Sequence, residues 1–356
     1  MKFSIQKNVL ENILINIQPY LEKKDFSQIT SHILIEAKEN SIFINATDHE
    51  IGLSYEIKNI EIIEDGKTTT NGKKLLDIIK TLNSKEINLE KINESLYIKQ
   101  NNSKFKLPVF NHNEFPKFPI LENKNEFKID TYKLIKSIKK ITPSIDINNP
   151  KFELNGALIN IKENKINFVS TDTKRLSIVE IQNNSEQEDI SLIIPKKAIN
   201  EIQKLIFDEI TINYDNQILL IESNNFKFFT KLINGKFPEY QRIIPTNLKY
   251  KLELNKEKFL SAIKQISIIS NEVKISFNKS NIKFESLNED NIEAKTNIEA
   301  NLEIDDDIAI ALNSRFLIDF LNSIENNNFT LGYNDNNLPF TLQSEELLSI
   351  VMPLVI

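Results

Sequence analysis

The polar groups that most resemble a catalytic set lie in one short segment, Thr47-Asp48-His49-Glu50, where an imidazole stands between two carboxylates. Such groups could in principle transfer protons to and from a bound substrate. The segment ends an alternating, strand-like run, and a second Thr-Asp pair at positions 171 and 172 has no histidine beside it. A turn at the end of a strand is the favoured interpretation.

Spacings typical of metal or cofactor sites are absent from the sequence. The 3 histidines, His32, His49 and His112, lie far apart, and none belongs to an HxxxH or HExxH motif. The acidic run from Glu303 to Asp307 lacks the glycine and the terminal glutamate of a calcium loop. With 0 cysteines and 6 glycines, thiol chemistry, zinc ribbons and the usual phosphate loops are excluded. We therefore expect no metal, no cofactor and no catalytic residue.

Composition is that of a globular protein of 356 residues, with 40% hydrophobic and 26% charged residues. No run approaches the roughly 20 apolar residues of a membrane-spanning helix, and the N-terminus has no signal-peptide pattern, so a cytoplasmic protein is expected. The length corresponds to two or three domains of about 100 to 200 residues. The net charge of -6 argues against a globally basic nucleic-acid binder, so the distribution of charge must decide.

One pattern occurs three times along the chain, and its first helix recurs after 124 residues and then after a further 125. Each copy opens with a helix whose apolar residues recur at i, i+4 and i+7. These residues are Leu10, Leu14 and Ile17, then Leu134, Ile138 and Ile141, and then Phe259, Ile263 and Ile266. Strand-like segments and a second amphipathic helix follow each time. The pattern predicts three α+β domains, each with two helices packed on antiparallel sheet.

Proline-bearing segments close the first two copies, Phe115-Pro116-Lys117-Phe118-Pro119 and Phe237-Pro238-Glu239-Tyr240. Clusters of this kind are typical of connections between structured units. The predicted domains are residues 1–121, 122–245 and 246–356.

Positive charge is concentrated on the helices. The lysines in question are Lys73, Lys74 and Lys80, then Lys133, Lys136 and Lys140, and then Lys196, Lys197 and Lys204. Lysines on one exposed helix face are most simply solvated, but their repetition on equivalent helices favours a surface for a polyanion. Such a surface would bind phosphates without reading sequence.

Over its whole length the chain resembles the bacterial DNA polymerase III beta subunits, the sliding clamps. The resemblance rests on the threefold repeat and on motifs that occur in order along the chain. These are Leu154-Asn155-Gly156, Thr171 to Leu176, Gly235 to Tyr240, Arg242 to Pro245, and Val351-Met352-Pro353-Leu354. It implies three DNA-clamp domains in a non-catalytic processivity factor of DNA replication. Two chains, joined head to tail, would close a ring around duplex DNA and tether the replicative polymerase, the lysines above facing the DNA.

The resemblance also implies two interfaces. Phe105 and Leu107 of one chain would meet Ile268 and Ile269 of the other in a homodimer. Peptide motifs of the polymerase III alpha subunit, the clamp loader and other partners would bind in a groove between the second and third domains. The implied groove residues are Leu154, Thr171, Thr173, Lys174, Arg175, Leu176, Pro238, Arg242, Ile243, Pro339, Ile350, Met352, Pro353 and Leu354.

Within that groove, Arg175 and Arg242 could supply contacts to a peptide's backbone or carboxylates. Thr173 stands where the best-known members of the family have glycine, and Lys174 where they have histidine, so the peptide preference could differ from theirs.

Two alternatives come from other classes. A repeat-built hydrolase or nucleotide-binding enzyme has no visible nucleophile-base pair or phosphate loop in its favour. A monomeric scaffold that binds peptides but not DNA would share the groove and lack the dimer edge. Native mass separates this monomeric scaffold from the clamp ring, since a single chain has 41.3 kDa and the dimer twice that mass.

Overall fold

The structure, a computed structural model, describes residues 1–25, 27–121, 125–182, 189–205, 209–287 and 292–355. The predicted boundary at residue 122 and the last residue of the predicted third domain lie outside these ranges. The chain forms two compact units. The first contains Met1–Thr131 and Lys204–Leu232, and the second contains Tyr132–Gln203 and Ile233–Ile356.

Two α-helices occur in each of the three predicted copies. They are α1 (Lys7–Ile17), α2 (Gly72–Thr81), α3 (Thr131–Ile141), α4 (Lys196–Leu205), α5 (Lys256–Ser267) and α6 (Ser314–Ser323). The nine apolar residues that predicted the first helix of each copy are all buried, which confirms the period of 3.6 residues. Short 3₁₀ helices cover Gln18–Tyr20, Ile29–Ser31, His112–Glu114, Thr142–Ser144, Phe152–Leu154 and Tyr240–Ile243.

Three of these helices begin in the same way, directly after a strand that ends in asparagine. The side chains of Asn71, Asn255 and Asn313 accept hydrogen bonds from backbone N–H groups of the first helical turn. Because the first N–H groups of a helix have no partner within it, such a cap stabilises the helix by about 1 kcal/mol.

The strands number 25 in the described residues. The first thirteen are β1 (Lys2–Gln6), β2 (His32–Lys38), β3 (Ser41–Thr47), β4 (Ile51–Lys58), β5 (Ile62–Glu64), β6 (Gly66–Asn71), β7 (Glu86–Ile92), β8 (Ser95–Gln100), β9 (Ser103–Pro108), β10 (Asn125–Phe127), β11 (Gly156–Lys162), β12 (Lys165–Thr171) and β13 (Arg175–Gln182). The others are β14 (Ile190–Pro195), β15 (Thr211–Tyr214), β16 (Ile218–Glu222), β17 (Phe226–Lys231), β18 (Tyr250–Asn255), β19 (Glu272–Phe277), β20 (Asn281–Ser286), β21 (Lys295–Glu299), β22 (Ile308–Asn313), β23 (Asn328–Tyr333), β24 (Phe340–Ser344) and β25 (Leu347–Val351).

These strands form two sheets in each unit. The first unit has the orders β5-β1-β7-β8-β9 and β10-β15-β16-β17-β4-β3-β2-β6. The second unit has β14-β11-β12-β13-β25-β24-β23-β18 and β21-β20-β19-β22. Each eight-stranded sheet joins four strands of one copy to four of the next, through the antiparallel pairs β4–β17 and β13–β25. We call these two pairs the first and the second seam.

In the described ranges, none of the helices combines the length and the apolar content needed to cross a membrane.

Candidate functional site

The segment from Thr171 to Arg175, which connects β12 to β13, is a tight turn held by its own side chains. The Thr171 hydroxyl donates to the carbonyl of Arg175 at 2.6 Å and accepts from the Thr173 N–H at 3.1 Å. A carboxylate oxygen of Asp172 accepts from the N–H groups of Lys174 and Arg175 at 3.1 and 2.9 Å. Side chains of this kind replace backbone partners in turns. The turn therefore exposes Thr173 and Lys174 in a fixed position.

Arg175 is only 6% exposed, and its guanidinium is engaged within the protein. It donates to Asp172 at 3.0 Å, to Asp319 of α6 at 2.8 Å and to the carbonyl of Pro143. It also lies 4.5 Å from the centre of the Phe316 ring. These three bonds use three of its five N–H donors, so contact of Arg175 with a bound peptide stays a prediction. Its role is to anchor the turn.

The C-terminal strand β25 runs beside this turn. Leu176 pairs with Ile350 in the second seam, and the N–H of Met352 donates to the carbonyl of Lys174 at 2.9 Å. The Met352 side chain is 42% exposed although the residues just before it are buried. A flexible thioether at such a place suits an adaptable apolar contact.

Below the turn lies a buried apolar cluster. It includes Leu154, Leu176 and Ile350 of the predicted groove, together with Phe237 and Tyr240 of the second proline-bearing connection. Burial raises the pKa of the Tyr240 hydroxyl. The structure thus brings three predicted groove residues into one core and packs the connection against it.

The remaining predicted groove residues lie at the margins of this cluster. Pro238 is exposed, Ile243 is 50% exposed, and the side chain of Arg242 is 82% exposed and forms an ion pair with Glu239 at 2.6 Å. Pro339 precedes Phe340, which pairs with Val351. After Met352 and the half-buried Pro353, the N–H of Leu354 donates to Ala311 of β22 at 2.8 Å.

The predicted lysine surface is only partly present. Six of its nine members are exposed, namely Lys73, Lys74, Lys80, Lys133, Lys197 and Lys204. Lys136 is half-buried and paired with Glu325 at 3.0 Å. The ammonium of Lys196 donates to the carbonyl of Ile145, and burial lowers the pKa of this group. Lys136 and Lys196 are thus engaged by their own unit.

Lys140 contradicts the expectation that it faces DNA. It is 5% exposed and bonds Glu345 at 2.6 Å and Glu346 at 3.1 Å, the two residues between β24 and β25. Burial alone would raise the pKa of both carboxyl groups, but the bonds from Lys140 and from backbone N–H groups hold each pKa below its usual value. The lysine lies beside the buried Ser137 at the margin of the apolar face of α3, where the β24–β25 hairpin covers it.

The predicted dimer residues are located at surfaces of the two units. Phe105 and Leu107 lie on β9, the edge strand of the five-stranded sheet, where Leu107 is buried and Phe105 half-buried. Ile268 and Ile269 follow the end of α5 and are 81% and 38% exposed. Their assignment to a dimer interface stays a prediction.

Sequence analysis missed Asp319, Glu345 and Glu346, which hold Arg175 and Lys140. Asp319 is 144 residues from Arg175 and Glu345 is 205 from Lys140, so no local pattern could reveal them. The described residues contain no group of three or more side chains placed to bind a metal ion.

Comparison with known proteins accounts for all three copies. Residues 1–119 match the family described as DNA polymerase III beta subunit, N-terminal domain. Residues 128–239 match its central domain, and residues 241–354 match its C-terminal domain. The fold is therefore that of three consecutive clamp domains of α+β structure, as the repeat predicted.

Individual relatives agree over the full length. The beta sliding clamp of Helicobacter pylori strain J99 is 40% identical over 351 residues, which cover 96% of this chain and 94% of the relative. The crystal structure of the Helicobacter pylori beta clamp bound to a DNA ligase peptide is 39% identical, with a TM-score of 0.94 and full coverage of both chains. The same clamp in complex with diflunisal is 38% identical, with a TM-score of 0.95 and full coverage of both chains.

These matches define a three-domain processivity factor without catalytic activity of its own. The chain belongs to the DNA polymerase III beta subunit family, the beta sliding clamps.

Proposed function

We propose that this chain is a sliding clamp of the bacterial cytoplasm. Two copies would close a ring around duplex DNA, hold the replicative polymerase there, and receive the clamp loader and other partners. The three domains would be residues 1–121, 122–245 and 246–356. The observation that carries this proposal is the second seam, where a rigid turn and an exposed Met352 lie over a buried apolar cluster.

The proposed peptide groove is the predicted set of residues, with Arg175 acting as an anchor beneath it. Its exposed members are those a peptide could reach, including Thr173, Lys174, Arg242, Ile243 and Met352. Apolar anchors at Ile243 and Met352 with charged neighbours fit an extended peptide that carries leucine or phenylalanine. The relative that was crystallised with a DNA ligase peptide supports a site of this kind.

The groove is tested by titrating a labelled peptide with the motif Gln-Leu-Ser-Leu-Phe against the intact chain. We expect Met352→Asp to weaken binding at least tenfold. Val355→Asp is the matched control, because Val355 is 91% exposed and only three residues away. Failure of the intact, folded chain to bind the peptide would refute the groove, and equal losses in both variants would show a non-specific charge effect.

Internal repetition supports a dimer as well. Each seam joins the last strand of a four-stranded half-sheet to a strand of the following copy. The third copy has such a half-sheet, β22-β19-β20-β21, and β9 of the first copy is equivalent to β17 and β25. Unpaired strand edges of this kind favour pairing with another chain. A β21–β9 pair between two copies would complete the series.

The seams also define a register for that pair. In both seams, the residues that face each other occupy equivalent positions of the repeat. If β9 and β21 pair in the same register, Lys104 lies opposite Ala294. The chain has 0 cysteines, so Lys104→Cys/Ala294→Cys would introduce the only thiols. We expect oxidation to yield covalent dimers, whereas Lys104→Cys/Asn297→Cys, three residues out of register, should yield few. A native mass of 41.3 kDa instead of twice that value would refute the dimer and favour the monomeric scaffold.

The exposed lysines would contact the DNA. Phosphate contacts by Lys73, Lys74 and Lys80 would be weak and independent of sequence, which suits a protein that slides. We expect alanine at these three positions to reduce binding of a DNA duplex at low salt and to flatten its salt dependence. The same change at Lys197 and Lys204 is a second, independent probe of the surface, and no effect from either set would exclude these helices as the DNA-binding surface.

A further inference from the structure

A cavity of about 610 Å³ lies on one face of the eight-stranded sheet of the first unit. Its floor is formed by Leu34 of β2, Phe43 and Asn45 of β3, and Ser54 of β4. The first proline-bearing connection crosses above it and contributes Phe115 and Phe118. The volume lies within the range of small-ligand and peptide pockets.

Both ends of this connection are fixed to the sheet. Five residues before its first residue, the Thr69 hydroxyl donates to the carbonyl of Phe110 at 2.9 Å and accepts from its N–H at 2.8 Å. At its end, Phe118 packs edge-on against Phe229 with the ring centres 5.0 Å apart. The connection is therefore anchored to the sheet on both sides of the cavity that it spans.

At the equivalent place in the second copy, the facing side chains are apolar and buried. Strand register aligns one row of four facing residues in each copy. The row in the first copy is Thr69, Leu34, Asn45 and Ser54, and the row in the second is Ile193, Leu158, Val169 and Ile178. All four residues of the second row are buried in the apolar cluster beneath Phe237 and Tyr240. In the first row, Thr69, Asn45 and Ser54 are small or polar, so the row fills less of the space above the sheet.

Charge around the cavity is mostly positive. Its lining contains the ammonium groups of Lys38, Lys67, Lys117 and Lys227 and one carboxylate, Glu36. Lys67 pairs with Glu36 at 2.9 Å, and Lys38 and Lys227 pair with acids outside the lining. Exposed pairs of this kind contribute little, so a ligand carboxylate can replace the acids. Each ammonium group also has three N–H donors, and one ion pair does not use all of them.

We propose that this cavity is a second peptide-binding site, which takes an acidic segment of a partner protein with one aromatic or aliphatic side chain inserted. The apolar side chain would lie between Phe43 and the bridging phenylalanines, and flanking aspartate or glutamate side chains would meet the lysines. The site is separate from the groove at the second seam and does not depend on it.

The probe is a fluorescein-labelled peptide, Asp-Glu-Phe-Leu-Asp-Glu, titrated against the full chain by fluorescence anisotropy. An excess of unlabelled Gln-Leu-Ser-Leu-Phe peptide blocks the groove at the second seam. We expect saturable binding that survives the block, and at least tenfold weaker binding of the neutral peptide Asn-Gln-Phe-Leu-Asn-Gln. Displacement by the blocking peptide, or absence of saturable binding, would overturn the proposal.

Two variants locate the bound peptide. Ser54→Ile introduces the residue that the second copy has at the equivalent position, so it should fill the cavity and abolish binding while the thermal midpoint stays equal or rises. Lys117→Glu, on the exposed bridge, should weaken binding at least tenfold, whereas the control Lys23→Glu changes the same charge at an exposed residue outside the lining. Full binding by Ser54→Ile, or equal losses in Lys117→Glu and Lys23→Glu, would refute the cavity as the site.

Discussion

The two seams contain the same turn built from different neighbours. In the first, the Thr47 hydroxyl donates to the carbonyl of Ile51 at 2.8 Å and Asp48 accepts from the N–H groups of Glu50 and Ile51. The turn from Thr171 to Arg175 repeats these bonds, so the interpretation of Thr47-Asp48-His49-Glu50 as a structural turn is confirmed. The strands that leave each turn differ at their first two residues, which are Ile51 and Gly52 in one and Arg175 and Leu176 in the other.

These two residues decide what each seam presents to solvent. Gly52 faces Phe229, and a Cβ at Gly52 would lie 2.1 Å from the phenylalanine ring, so the aromatic ring covers the backbone there. In the second seam, Leu176 and Ile350 face each other as aliphatic side chains. The first seam is thus filled by the ring of Phe229 and anchored by the apolar side chain of Ile51. The second is anchored by a buried cation, and the chain that follows it leaves Met352 exposed.

The largest effect is expected where the second seam has its cation. Arg175→Met would remove the guanidinium that bonds Asp172, Asp319 and the Pro143 carbonyl, so unfolding in urea should require about 3 kcal/mol less free energy. The matched change in the first seam, Ile51→Met, alters shape only and should cost about 1 kcal/mol. Equal losses in the two variants would show that the guanidinium does not anchor the turn.

A smaller effect, which depends on pH, should distinguish the first copy. Burial, and then the nearby charge of Lys74, lower the pKa of His32 from 6.5 to about 4. Between these values the unfolded chain binds a proton that the folded chain does not, so stability should fall as pH decreases from 6.5 to 4. At about 1.4 kcal/mol per pKa unit this shift corresponds to about 3 kcal/mol at pH 4. Screening by solvent reduces the expected loss to about 2 kcal/mol.

Urea unfolding at pH 7 and pH 4.5 measures this contribution. His32→Phe keeps a ring against Phe110, whose centre lies 4.0 Å away, and should remove part of the pH dependence. His49→Gln, at an exposed position of the first turn, should retain it in full. An unchanged pH dependence in His32→Phe would contradict the assignment.

The smallest effect concerns the residue at the tip of each turn. Thr173 and His49 have φ angles of 70° and 74°, a region that β-branched residues rarely adopt and histidine adopts more readily. Thr173→Gly should therefore raise stability by about 1 kcal/mol, and His49→Gly by less. Thermal unfolding of the two variants makes the comparison. A larger gain from His49→Gly would mean that side-chain contacts rather than backbone strain determine the difference.

How much could be predicted depended on whether the partners of a residue were local. The helices followed from apolar residues that recur within a single turn or two, and the Thr-Asp turn from a pair repeated 124 positions later. The burial of Lys140 could not be predicted, because its glutamate partners lie more than 200 residues away in the sequence. A helical projection alone places this lysine on the polar side of α3. The cavity of the first unit could not be predicted from the sequence either. It depends on the strand register, which gives Ser54 the position that Ile178 has in the second copy.

The first seam also sets an order of events during synthesis. The ammonium of Lys58, at the end of β4, donates to the carbonyl of Asn224, which is 166 residues further along the chain. At about 5 to 20 residues per second, roughly 8 to 33 seconds pass between the emergence of β4 from the ribosome and that of the strand that pairs with it. During that time the nascent first domain carries an open strand edge. Because an open strand edge can pair with another chain, we expect shielding of this edge during synthesis to raise the yield of folded protein.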